Sequence, residues 1–257
     1  MSTRSAPTTI VSAESAGPTF KEPNLRRGEV WDRRFFVAMA LASTLCVAVA
    51  FASATQLGLR TSPRPMPRLV AVHGAVYFAW MILFIVQTSL IAAGRTHTHR
   101  LLGYASGVLA ALMIVMGFLV AFRAEKNGFW VDFGSRDTEF LFSLMDMVTF
   151  GAFIGLALWW RHDPETHQRL MLLAVVAGLF AAVVPRMPGV GGHPPRMAMF
   201  GYAFLLAGPI YDLIARRRIH RAYIWGCVFA IVTGAPLRLV VAATSWWHLF
   251  AKRISGP

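Results

Sequence analysis

Leu69 to Gly94 reads LVAVHGAVYFAWMILFIVQTSLIAAG, 26 residues without a formal charge. As an α-helix it is long enough to cross a hydrocarbon core of about 30 Å with some tilt. It is not apolar all round. His73, Tyr77, Trp80, Phe84 and Gln87 recur at spacings of four, three, four and three, which puts all five on one stripe of a helix. Imidazole, phenol, indole and carboxamide groups need hydrogen-bond partners, and hydrocarbon offers none. The stripe is therefore expected to face protein or a cavity, with this helix central in a bundle.

The rest of the composition agrees with a membrane as solvent. Of 257 residues, 56 % are hydrophobic and 14 % charged, a balance a soluble domain of this size would struggle to hold in solution. The net charge of +13 is spread over the ends of apolar runs instead of forming one block. That pattern suits phosphate headgroups and insertion topology, and it argues against nucleic acid as a partner. The two cysteines, Cys46 and Cys227, lie inside apolar segments, so neither a disulfide framework nor a zinc site is expected.

Seven apolar runs follow in order, over about 35–56, 69–93, 101–122, 140–160, 170–185, 197–215 and 222–250. The fold expected is all-α, a polytopic bundle of seven transmembrane helices. Residues 1–34 read as a disordered cytoplasmic tail and 252–257 as a short C-terminal one. A cleavable signal is not expected, because the first run begins only at Phe35 and is too long for a signal core. Arg60 to Arg68 forms a stiff, Pro-rich basic connector, and Phe129 and Trp130 suit an interface. Gly103 with Gly107, and Gly151 with Gly155, are small-xxx-small pairs that would let a neighbouring backbone come close. The fifth and sixth runs are short, and a re-entrant pair competes with two spanning helices. Gly234-Ala235-Pro236 is expected to kink the seventh helix and free backbone groups near Arg238.

Lysine and arginine set the orientation. Fourteen lie at helix ends on the side of the N-terminus and 10 on the other, with Arg238 left inside the seventh run. The excess places the N-terminus in the cytoplasm and the C-terminus outside.

On this topology the residues that hydrocarbon penalises fall into two layers. His73, Asp146, Arg186, His193, Arg238 and His248 lie toward the outer face. Gln87, His99, His167, Asp212 and His220 lie toward the inner one. An ionised group near the bilayer middle costs roughly 2.5 to 3.5 kcal/mol even on the lenient insertion scale, so Asp146 and Arg238 need each other or water. One reading is an ion pair fixing the fourth helix to the seventh. The other uses that pair with His73 as the polar wall of an outward-opening pocket, with Tyr77, Trp80 and Gln87 lining it. Three loops end in a histidine near an arginine, His99-Arg100, His167-Gln168-Arg169 and His220-Arg221. Such residues mark an interface, or else converge on an inner anion or metal site. A haem or metal would draw on His73 with His248 or His193, or on His99 with His167 or His220.

Several chemistries lack their parts. The chain has no clustered histidine boxes of the di-iron hydroxylase kind, no phosphate-cradling glycine loop, and no lysine inside the last helix to carry retinal. His73 to Gly103, with Asp146, Glu165-Thr166-His167-Gln168-Arg169-Leu170-Met171, Tyr211-Asp212-Leu213 and Pro236-Leu237-Arg238, resembles a group of small bacterial polytopic membrane proteins of unknown function. The resemblance covers roughly residues 35–250 and implies a multi-pass protein of the bacterial inner membrane. The chain also looks distantly like the transmembrane modules of cytochrome b561 and ferric reductases, through a histidine-arginine pair opening a helix and a histidine early in another. That likeness implies b-type haem, although the mid-helix haem histidines have no counterparts here.

The expected function is a membrane protein whose polar and aromatic pocket takes a small ligand, an ion or a lipid-like molecule, as transporter, sensor or accessory subunit. Partners would be the bilayer, that ligand, and further copies or subunits. The competing readings are a haem- or quinone-linked redox protein and a metal-dependent membrane enzyme.

Overall fold

The computed structural model describes residues 27–61, 67–127 and 135–256. Within them the chain is all-α, with no strand. The helices are α1 (Arg27–Thr61), α2 (Arg68–Ala92), α3 (Thr96–Asn127), α4 (Arg136–Trp159), α5 (Pro164–Arg186), α6 (Pro194–Arg216), α7 (Arg221–Val232), α8 (Ala235–Ala242) and α9 (Ser245–Ser255). Seven segments are long and apolar enough to cross a membrane, α1 to α6 and the run Arg221–Ala242 made of α7 and α8. The seven-helix membrane bundle read from the sequence is the observed fold. Most of the proposed tail, most of the Pro-rich connector, Phe129 and Trp130 lie outside the described residues.

The fifth helix, not the second, is the centre. Of the apolar window of α5, 67 % is buried, against 22 % for α2. α5 begins at Pro164, six residues before the apolar run, because Asp163 caps it: its carboxylate accepts from the amides of Glu165 and Thr166 and from the Thr166 hydroxyl at 2.6 Å. Its middle, Ala174–Leu179, widens into a π-helical turn. There Gly178 lies against α4 so closely that a Cβ would stand 2.7 Å from the Phe150 Cα. Lipid tails are as apolar as leucine, so helices associate in a membrane by such close packing and by hydrogen bonds. Phe150, Phe153, Leu172, Leu173 and Phe180 are all fully buried in the core cluster around that contact.

α2 packs sideways on this centre. Trp80, Phe84 and Gln87 are buried, His73 and Tyr77 half-buried, while Val72, Phe78, Ile82 and Val86 are exposed on the other face. The aromatic stripe points at α3 and α4, and the aliphatic stripe is left for lipid. The small-xxx-small expectation for α3 fails: a Cβ at Gly103 or Gly107 would meet nothing within 4 Å. On α4, Gly155 is equally open and Gly151 touches only the Ile114 side chain.

The helix read over 222–250 is three pieces. Gly234 and Pro236 break it once, and Pro236 sits in the first turn of α8. It breaks again at Thr244, whose hydroxyl accepts from the Trp247 amide to start α9. α9 then folds back, burying Trp247 and Ala251 against Phe140, Leu141 and Ala121 and leaving Trp246 and Leu249 exposed. Its Trp247 indole donates to the Asp137 carbonyl at 2.9 Å. At the other terminus α1 starts at Arg27, so residues 27–34 are helical where a disordered tail was expected. The chemical reason is that Asp32 and Arg33 have partners, Arg216 and Tyr211 for one and the Ala92 carbonyl for the other.

Candidate functional site

Successive helices alternate in direction, so the start of α1, the end of α2 and the α4–α5 and α6–α7 turns share one end of the bundle, here the N-side. His73, Arg186, Asp137 and α9 mark the opposite side.

The polar residues sort into one layer at each end. On the opposite side, the His73 and Tyr77 rings pack at a tilt of 32° with centroids 4.1 Å apart on the first turns of α2. The Tyr77 hydroxyl donates to the Met113 carbonyl at 2.9 Å and lies 2.9 Å from the Met147 sulfur. One residue along α4 from Met147, Asp146 accepts from Arg238 of α8, and both are buried. Arg238 Nε also donates to the Thr233 carbonyl at 2.9 Å, at the helix end that the Gly234–Pro236 break creates. Its guanidinium lies over the Phe142 ring at 5.2 Å. Arg186 is within electrostatic reach of both His73 and Asp146. His73 Nδ1 is buried and has no hydrogen-bond partner among the described residues.

Two expected pocket residues lie elsewhere. Trp80 is packed in the core between Phe84 and Phe150, at centroid distances of 5.5 and 5.3 Å, and is 2 % exposed. Gln87 belongs to the N-side. With its amide oriented to satisfy both ends, the nitrogen donates to His99 Nδ1 at 2.8 Å and the oxygen accepts from the Ser106 hydroxyl at 2.8 Å.

On the N-side, His99 and His167 meet edge to face with centroids 6.3 Å apart. His167 Nδ1 donates to the Ala157 carbonyl at 2.8 Å, so Gln87, His99, His167 and Ala157 tie α2, α3, α5 and α4 at one level. His220 does not join them. Its Nδ1 caps α7 by accepting from the Ala222 amide at 3.2 Å, and its own amide donates to Asp212. Burial, and after it the Arg169 guanidinium, push the His220 imidazole below its ordinary pKa, which favours the neutral ring that a cap requires. His248 pairs with Asp137 at the exposed far end. Among the described residues no group of three or more His, Cys, Asp or Glu is gathered to hold a metal ion.

The largest ionic assembly joins residues that the sequence names only separately, Asp212 in the inner layer and Glu165 and Arg169 in one segment. Arg169, 1 % exposed, is bidentate on Asp212, with Nε to Oδ2 at 2.9 Å and Nη2 to Oδ1 at 2.7 Å. It also donates to the Glu165 carbonyl and carboxylate, and its guanidinium lies 5.6 Å over the Tyr223 ring. Arg216 bridges Glu165 and Asp32, and Tyr211 donates to Asp32 at 2.7 Å. Three carboxylates and two guanidiniums thus join α1, α5 and α6 where charge would otherwise be expensive. The signal available was the Glu165 to Arg169 spacing of four together with Asp212 four before Arg216.

A groove of about 520 Å³ opens on the flank of the bundle between α4, the start of α5 and α7. It is almost wholly apolar and shares no residue with the His73 layer. Protein-family models, curated proteins and solved structures were compared with the chain, and none matches.

Proposed function

We propose that this membrane protein binds a small polar or lipid-like ligand at the layer formed by His73, Tyr77, Asp146 and Arg238, as a transporter, sensor or accessory subunit of the bacterial inner membrane. The observation that carries the reading is the His73 Nδ1, buried without a partner among the described residues, against a phenol whose hydroxyl reaches Met147, the residue beside ion-paired Asp146. An unsatisfied buried nitrogen costs about 1 to 3 kcal/mol, which a ligand or a bound water would offset. Tyr77 and the Asp146–Arg238 pair keep their own partners and so would form the rigid wall around it.

Thiol access tests the reading. In a background with Cys46→Ala and Cys227→Ala, His73→Cys should react with a membrane-impermeant maleimide added from the C-terminal side of sealed vesicles, and not from the N-side. A thiol silent from both sides would mean a sealed core and would end the proposal. The visible spectrum of the purified protein separates it from the haem reading: a Soret band lost in His73→Ala would replace a ligand pocket by a haem site.

A further inference from the structure

The flank groove has a chemistry of its own. Phe153 of α4 and Leu170 of α5, both buried, lie at its base, while Leu156 and Phe229 stand exposed at its sides. Phe153 sits well inside α4, whereas Trp160 caps that helix, so the groove runs from membrane depth to the N-side interface. At the interface end it meets Trp160, Trp225 and Arg221, and both indoles are exposed. Tryptophan at that level anchors to headgroups. Arg221 is the first residue of α7 and exposed, and its side chain makes no hydrogen bond or ion pair to any described residue. The carboxylates nearby are already committed: Asp212 to Arg169, Glu165 and Asp32 to Arg216, and Asp163 to the Thr166 hydroxyl and the first amides of α5. A cation at headgroup depth with no ion pair among the described residues, at the mouth of an apolar channel of ligand size, calls for an anion carrying a long apolar chain.

We infer that this groove is a binding site for one anionic phospholipid, with an acyl chain between α4 and α7 on Leu170 and the phosphate on Arg221. The site is independent of the His73 layer, which lies toward the other face. Zwitterionic lipid would present the same chain with its phosphate charge cancelled, so the selectivity comes from Arg221 and the retention from the groove.

The experiment uses the full chain in nanodiscs of equal parts phosphatidylglycerol and phosphatidylcholine, moved into detergent and weighed by native mass spectrometry. One phosphatidylglycerol per chain should be retained, with a preference over phosphatidylcholine of about fivefold, the magnitude of one arginine at an anionic surface. Arg221→Gln, on an exposed residue, should bring the two lipids to parity. Leu156→Trp, which fills the groove, should abolish retention of both while Arg221 stays in place. Retention of both lipids equally in the unaltered chain, or a phosphatidylglycerol preference that survives both substitutions, would overturn the assignment. So would a second copy of the chain or a quinone found in place of the lipid.

Discussion

Asp146 and Arg238 are 5 % and 3 % exposed and each is the other's counter-ion. Replacing one leaves the partner's charge buried and unmatched, which costs about 3 to 5 kcal/mol, far more than the pair contributes over an apolar substitute. Asp146→Asn and Arg238→Gln should therefore each destabilise the protein strongly. The double variant should recover part of the loss, with a coupling of about 0.5 to 3 kcal/mol read from denaturant unfolding in detergent. Strictly additive losses would show that the two side chains do not touch. This pair was legible because each residue stands alone in an apolar run, where nothing but a partner explains it. Arg169 was not, for an equally physical reason. His162 to Arg169 is polar enough to look like a loop, and only the fold shows that Glu165, Asp212 and Asp163 neutralise or cap it into helix. Gln87 and His73 do share one stripe, but they stand 14 residues apart on a 25-residue helix, more than half its length. A shared stripe gives a shared face and not a shared depth.

At the scale of the element, the same lesson explains α5. Hydropathy alone leaves it 16 residues, because the charged first turn is counted as water-facing. Capping by Asp163 and pairing of Arg169 extend it to a span and let it take the centre. Its backbone approach to α4, Gly178 on Phe150, needs a single glycine at a π-turn, so the paired-glycine pattern points at other helix faces. The seventh span breaks twice: Gly234-Ala235-Pro236 marks the first break by its composition, whereas Thr244-Ser245 marks the second only as an ordinary cap sequence inside an apolar run. Caps also carry the pH dependence. The His220 cap at the start of α7 works only as a neutral ring, and burial followed by Arg169 holds its pKa below the ordinary value. A histidine depressed on folding contributes stability above its unfolded pKa, about 6.5, and loses it as pH falls through that value toward the folded one. His220→Asn keeps a capping acceptor and removes the titration. Compared at pH 8 and pH 5 by thermal unfolding, the unaltered protein should lose more stability than the variant. Equal losses would show that the ring does not titrate in the cap.

For the whole molecule, an odd number of crossings predicts termini on opposite sides of the membrane, and α9 is no further crossing segment, since it folds back on α3 and α4. Which side is which is a prediction from charge. The N-side carries the larger share of lysine and arginine, but Arg169 and Arg216 spend theirs on Asp212, Glu165 and Asp32. The remaining excess rests on short basic groups such as Arg217-Arg218 and Arg221, which lie in a turn short enough for the insertion rule to count them. A reporter active only in the cytoplasm should therefore work at the N-terminus of the full chain, and one active only outside should work at its C-terminus. Turning Arg217, Arg218 and Arg221 to glutamine leaves the ion-paired network untouched and should weaken that orientation, giving a mixed population by the same two reporters. If both termini report from one side in the unaltered protein, one of the seven helices does not cross. The fifth would then be the last to suspect, because its burial by protein on most faces needs the other six around it.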